Sequence, residues 1–328
     1  MKNLFRFAAL ASASLTLGLS AQASGVNPGS LLVYPAFDNI RGDITLLTVV
    51  NTNDDQTNGT VKVEFVYINQ HNCQEFNRTR TLTPNDCLTV VTKYDNPNQV
   101  KGYAYVFAKD KTSGKAISFN HLIGTERVLS AVDNDYEVQP WVFESPLAQG
   151  ANTDLENGVG DGIRDLDGAE YGQAPDRVLI PRFIGQIPGT VESELILIGL
   201  TGGSEFDTLV DFLIYNDNEE EFSAQRSFDC YERCWLSNIS GAFDHSFLVT
   251  TNHNPLEVVG LAPNQTLEVG WMRLNGLVAS SSATSIAQPA ILAALVEHTP
   301  LGSGVVMPWA VGEQNNGDLI PHSVFGDQ

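Results

Sequence analysis

The residues whose types and spacing suit them best to chemistry lie near the middle of the 328-residue chain. Between Asn152 and Gly168, the oxygen-bearing side chains of Asp154, Glu156, Asn157, Asp161, Asp165 and Asp167 alternate with glycines. Calcium takes several hard oxygen ligands on a backbone that turns sharply, so these six residues are the expected calcium set. No Glu occupies the twelfth position counted from Asp154 or Asn157, where an EF-hand requires one. The competing expectation is a solvated acidic linker, because runs of like charge are usually hydrated.

Cysteine offers the second chemistry. Cys73, Cys87, Cys230 and Cys234 are the only thiols, and an exported chain oxidises them to disulfides. A Cys73–Cys87 bond would close a loop worth about 3 kcal/mol of chain entropy, and Cys230–Cys234 a much tighter one. A four-thiolate zinc site wants two short cysteine spacings, whereas this chain has one. Spacing cannot fix connectivity, so pairing between the two sets stays open.

Enzyme signatures are absent from the sequence. There is no G-x-S-x-G elbow, no H-E-x-x-H helix and no phosphate-cradling glycine loop. Asp244-His245 and Glu297-His298 set carboxylates beside imidazoles, but neighbours on a strand face opposite ways. No catalytic residue is therefore expected, with a carboxylate-pair glycoside hydrolase kept as an alternative because the chain is so acidic. Trp141, Trp235, Trp271 and Trp309, with Tyr103 and Tyr105, are the aromatic candidates for stacking on sugars or anchoring interfaces. Trp271 is expected in a core, and Trp141 and Trp309 are expected to pin a connector and a tail.

These residues need elements to hold them. Lys2 and Arg6, the apolar run Phe7 to Leu19, and Ala21-Gln22-Ala23 read as a Sec-type signal peptide over 1–23. With 39 acidic against 18 basic side chains the net charge is −21, which argues against nucleic acid as a partner. No later apolar run approaches a membrane span, so no integral insertion is expected after cleavage. The expected location is the periplasm, the cell surface or the medium.

Internal repetition organises the rest. Val63 to Asn69 reappears as Val210 to Asn216, and the same offset carries Cys87 onto Cys234. Val33 to Phe37 matches Leu179 to Phe183, Leu46-Leu47-Thr48 matches Ile196-Leu197-Ile198, Gly102-Tyr103 matches Gly270-Trp271, and Ala116-Ile117 matches Ala290-Ile291. Short β-branched and aromatic runs bounded by Asn, Asp, Gly and Pro predict strands, among them 44–50, 61–67, 88–93, 102–107 and 117–122. The expected fold is all-β, with two tandem antiparallel β-sandwich (Ig-like) domains related by duplication at 24–128 and 177–299. An acidic connector at 129–176 and a tail at 300–328 complete it. That connector region carries eleven acidic residues against two basic ones through Arg177.

The runs Leu31 to Asn39, Gly102 to Asp110 and Ser118 to Gly124, with Leu179 to Phe183 and Phe212 to Asn216, resemble a group of uncharacterised exported bacterial proteins with tandem β-sandwich domains. That resemblance implies export and a shared architecture and carries no activity. Asn157, Asp161, Gly162 and Asp165 are similar to the Asp-rich loops of thrombospondin type 3 and dockerin-like repeats. The function expected is a non-enzymatic structural or adhesion-like protein of a surface or matrix, with other surface proteins, itself or glycans as partners. A calcium-dependent carbohydrate-binding module is the alternative. Exposed strand edges could accept a strand, with Ser24 to Phe37 as a candidate donor.

Overall fold

The computed structural model describes residues 27–40, 42–130, 135–154, 162–200, 207–251, 256–257, 266–278 and 288–319. The expected leader, and Glu156, Asn157 and Asp161, lie outside the described residues. The first nine strands are β1 Leu31–Asp38, β2 Ile44–Asn51, β3 Val61–Asn69, β4 Glu75–Leu82, β5 Cys87–Val91, β6 Lys101–Lys109, β7 Leu122–Leu129, β8 Tyr136–Val138 and β9 Trp141–Phe143. They pair antiparallel in the orders β4-β3-β6-β1-β9 and β5-β2-β7-β8. A short strand β10, Arg164–Leu166, leads to the second half.

There the strands are β11 Arg177–Ile184, β12 Glu192–Gly199, β13 Thr208–Asn216, β14 Glu221–Phe228, β15 Tyr231–Trp235, β16 Leu256–Glu257, β17 Thr266–Leu267, β18 Val269–Val278, β19 Ile291–Thr299, β20 Gly302–Val306, β21 Trp309–Val311 and β22 Gly317–Leu319. Their sheets run β14-β13-β18-β11-β21 and β15-β12-β19-β20, while β10 pairs with β22 and β16 with β17. Among the described residues, helix is confined to one turn at Thr92–Asp95 (α1), two 3-10 turns, and His245–Thr251 (α2). The chain is all-β, and its two halves repeat one strand order.

A backbone device repeats with it. In β1 the register against β6 shifts between Tyr34 and Phe37, and in β11 the register against β18 shifts between Ile180 and Phe183. Pro35 and Pro181 sit at these bulges, where a residue without an N–H costs no ladder bond. Phe37 pairs with Gly102 and Phe183 with Gly270. A Cβ on Gly102 would lie 1.7 Å from the Ile68 carbonyl oxygen, and one on Gly270 2.3 Å from that of Tyr215. The Gly102 and Gly270 match in the sequence is thus a close approach of backbones that only glycine permits.

Burial sorts the sheets into layers. Strands β1 and β6 are buried along nearly their whole length, and so are β12 and β19, whereas β2, β13 and β18 alternate. Alternation means one covered face and continuous burial means two. The five-stranded sheet of the first sandwich therefore stacks on the four-stranded sheet of the second, giving four layers. Three apolar clusters follow. Tyr34, Leu47, Phe65 and Tyr67 fill the first sandwich, and Phe183, Leu195, Phe212 and Phe243 the second. Val33, Val66 and Tyr105 meet Ile196, Leu292 and Val296 in the seam between them.

Several expectations change. Val61, Val63, Phe65 and Tyr67 face the first core as the alternation implies, but Val66 and Ile68 on the other face are buried in the seam. The stretch 117–122 does not form a strand; Ile117 makes one isolated bridge and β7 starts at Leu122. Leu122, paired with Asn51, is the counterpart of Ile291, paired with Gly199, so the Ala116-Ile117 match is out of register. Residues expected in the connector supply β8 and β9 to the first sandwich, and residues expected in the tail supply β20 and β21 to the second. The proposed donor segment is already used, since β1 lies between β6 and β9.

Candidate functional site

The seam is where the chain concentrates its covalent and electrostatic chemistry. Cys73, in the β3–β4 turn, is bonded to Cys230, in the β14–β15 turn, across 157 residues of sequence. The local pairings Cys73–Cys87 and Cys230–Cys234 are not formed, and Cys87 and Cys234 are free thiols. Cys87 is exposed opposite Val50, whereas Cys234 is buried opposite Leu195, so the two matched cysteines occupy opposite faces of their sheets. Burial first, then Glu232, pushes the Cys234 thiol up to about 12, which leaves it an inert core residue.

Beside the disulfide lies a buried ionic cluster. Arg233 on β15 donates to Glu194 on β12 at 2.6 Å and stands 3.5 Å from Asp38 of the first sandwich. Lys101 meets the same Asp38 carboxylate at 2.7 Å. Two cations and two carboxylates thus balance across the seam, which offsets the cost of taking them out of water. Burial alone would weaken the charge on Arg233, but Tyr136 and Glu194 hold it firmly protonated. Burial would likewise raise Glu194; His298 and Arg233 reverse that and keep its carboxyl below the usual range.

Glu126 on β7 is the odd member. Its Oε2 accepts the Ala36 amide at 3.0 Å, at the β1 bulge, and the residue is fully buried. Burial pushes its carboxyl up to about 8 against the opposing pull of the Ala36 amide and Arg233. Register makes Leu295 its counterpart in the second sandwich, because Glu126 pairs with Leu47 and Leu295 with Leu195, both inward residues. The fold accepts leucine at this position, so the buried acid is a feature of the first sandwich and not of the architecture.

One nucleophile escaped the sequence reading. Ser303 Oγ is 2.8 Å from His298 Nδ1, and Glu194 lies 3.7 Å from His298 Nε2. The three make a row in type, but Glu194 is committed to Arg233 and does not bond the imidazole at that distance. Ser303 and His298 are directly paired across β19 and β20, a spacing visible only once the hairpin register is known. Glu297 points the other way, to Arg182, as strand alternation requires, and the backbone carbonyl of Asp244 accepts the Phe247 and Leu248 amides at the start of α2.

The acidic segment is anchored to protein donors. Asp154 Oδ1 accepts the Gly162 amide at 3.2 Å, and Arg164 stands 4.0 Å from Oδ2. Asp165 lies in β10 opposite Asp318, and Asp167 Oδ1 accepts the Ala169 amide at 2.7 Å in a turn. Among the described residues no group of three or more His, Cys, Asp or Glu side chains converges to hold a metal. Arg164 reaches over the Phe107 ring at 4.8 Å and helps close a chamber of about 190 Å³ with Glu64, Glu75, Asn77, Tyr105 and Lys109. Its carboxylates are matched: Glu64 bonds Lys109, and Glu75 accepts from Asn77 at 3.0 Å.

The tryptophans fall into register. Trp141 pairs with Val33 and Trp309 with Leu179, at the same point of each sandwich's edge strand. Val138-Gln139-Pro140-Trp141 and Val306-Met307-Pro308-Trp309 are the signal that reading by strand length passed over. Trp141 packs on the seam, while Trp309 is 70% exposed and pins nothing. Trp271 is no core residue either; it stacks on Tyr215 at 4.3 Å on an outer face. Trp235 stands edge-on to His298 at 5.4 Å. Among the described residues no helix is long and apolar enough to cross a membrane. Comparison with family models gives no match for this chain, and comparison with curated proteins gives none either.

Proposed function

We propose that the protein is an exported, non-enzymatic structural or adhesion-like component of a surface or matrix, built by tandem duplication of one β-sandwich. The observation that carries this reading is the weld between the halves. An apolar seam, a balanced ionic cluster and the Cys73–Cys230 bond join the two sandwiches. A join of that kind suits a spacer or scaffold, and the disulfide suits an oxidising compartment. Fractionation of cells carrying an epitope-tagged chain tests it. The expected result is a chain cut near Ser24, found outside the cytoplasm, with loss of cohesion or attachment in its deletion strain. An uncut cytoplasmic chain overturns the reading.

A second reading, a glycan-binding concavity, draws on the chamber of Glu64, Glu75, Asn77 and Tyr105, because carboxylates and amides beside an aromatic wall suit a sugar's hydroxyls and its apolar face. Glycan-array binding lost in Glu75→Gln supports it, and a silent array removes it. Chelator-sensitive signal would bring calcium into the same site.

A further inference from the structure

The first sandwich shows what its second copy lacks. Its five-stranded sheet turns Val33, Val66 and Tyr105 outward, and the four-stranded sheet of the second sandwich covers them, with Trp141 packed at the rim. The same row in the second sandwich, fixed by the pairings Leu213–Arg273 and Leu179–Trp309, is Leu213, Arg273, Leu179 and Trp309. Alongside it Tyr215 and Trp271 stack with rings 13° from parallel. Each of these positions is half-buried or exposed, and Trp309 is 70% exposed.

Among the described residues the stack has one other open face. The four-stranded sheet of the first sandwich turns Leu46, Thr48, Val50, Ile123 and Thr125 outward, since Leu47 and Val49 face inward. Thr48 and Thr89 bond each other across it at 2.8 Å, and Ile44 at its border is 40% exposed. In a chain of net charge −21 this surface is largely β-branched, with Arg127 beside Leu46 as its one cation and Glu137, on the edge strand, standing 4.0 Å from it. Charge depletion at the centre of a face is the compositional mark of an interface.

We infer that these two open faces bind each other between copies, the five-stranded face of one chain's second sandwich docking on the four-stranded face of the next chain's first. The occupant follows from the chain itself, which already joins a five-stranded outer face to a four-stranded one at its own seam. Because the two faces differ, the contact is heterologous, and a heterologous contact that does not close on itself propagates as a filament. The inference deepens the structural reading above and rests on it for its biological sense.

Sedimentation velocity of the purified chain over a concentration series tests the inference, with Thr48→Arg and Trp309→Arg as single-face variants. Both positions are partly exposed, and circular dichroism with thermal unfolding checks that each variant folds. Wild-type mass is expected to grow with concentration past a dimer. Each variant alone is expected to stay a single chain, and their equimolar mixture is expected to stop at two chains, because it retains one competent contact. Alkylation of the exposed Cys87, next to Val50, is expected to slow in the wild-type assembly and not in the variants. A wild-type chain that stays monomeric, a variant that assembles alone, or a mixture that fails to pair overturns the inference. A monomer that is still exported and still needed for cohesion leaves the structural reading standing, whereas a cytoplasmic chain removes that reading however it assembles.

Discussion

Removing the bond between the sandwiches should be the most costly two-atom change in this protein. Cross-linking residues 157 apart restricts the unfolded chain far more than a local bond does. On the chain-entropy argument the Cys73–Cys230 loop is worth about 5 kcal/mol at room temperature, against about 3 kcal/mol for the roughly 14-residue loop of the alternative Cys73–Cys87 bond. At roughly 2–4 °C per kcal/mol for a chain of this class, the Cys73→Ser/Cys230→Ser pair should lower the unfolding midpoint by about 10 °C or more. The assay is thermal unfolding monitored by circular dichroism, with Cys87 and Cys234 alkylated on unfolding to block exchange. Each single substitution should lose as much as the pair, because both break one bond. Peptide mapping without reductant should recover the two segments joined. A midpoint within about 2 °C of wild type, or a peptide joining Cys73 to Cys87, refutes the reasoning.

Glu126 should make stability pH-dependent in a particular sense. The native state keeps its proton up to about 8, whereas the unfolded chain releases it near 4.5. Its contribution is therefore complete below that lower value and is lost as pH rises through about 8. Glu126→Gln keeps an acceptor for Ala36, so chemical denaturation should show a flatter pH dependence across this window and higher stability at its alkaline end; parallel curves would dismiss the buried acid as the titrating group. Gly102→Ala and Gly270→Ala should each cost about 1–3 kcal/mol or more by forcing a Cβ into a carbonyl oxygen. Gly304→Ala, with open space around it, should be silent in the same denaturation assay, and equal effects at all three would refute the close-approach argument. Calcium should leave the midpoint unchanged, since Asp154 and Asp167 are already held by protein donors. Saturable heat on titration with a rise in midpoint would mean that the acidic segment does form a site.

What was legible in the sequence was whatever depends on local pattern. The β-branched alternation of Val61 to Tyr67 led directly to β3, and Gly102 with Gly270 marked the two bulges. Continuous apolar runs such as Ile291 to Val296 also carried the layer order, because a strand buried on both faces has no polar side to show. Connectivity of the cysteines was out of reach: Cys73 and Cys230 meet only because two turns from different sandwiches come together at the seam. The Ser303 and His298 pair likewise depends on hairpin register. Val-x-Pro-Trp, by contrast, was present in the letters at both edges and needed only the right offset.

The asymmetries between the two sandwiches follow from where each face ends up. Tyr105 and Phe107 are buried in the seam, and their register counterparts are Arg273 and Asn275, which stay partly open. Ile196 faces that seam from the other side, and its counterpart by register is Thr48, which faces outward and lies two residues on from the Leu46 that the sequence match set there. A face that is permanently covered keeps apolar residues, because each polar group buried there without a partner costs free energy. A face left open on the single chain must remain soluble, which favours the mixed Leu, Thr, Tyr and Arg composition of the two outer layers over a full apolar surface. Glu126 belongs to the same logic. It stands behind the bulge of the sheet that must stack, where its counterpart Leu295 lies in a sheet already stacked from outside. It lies close enough to Arg233 to be pulled toward ionisation by it, while burial holds its proton, so the acid at this position is tied to the same cluster that joins the two sandwiches.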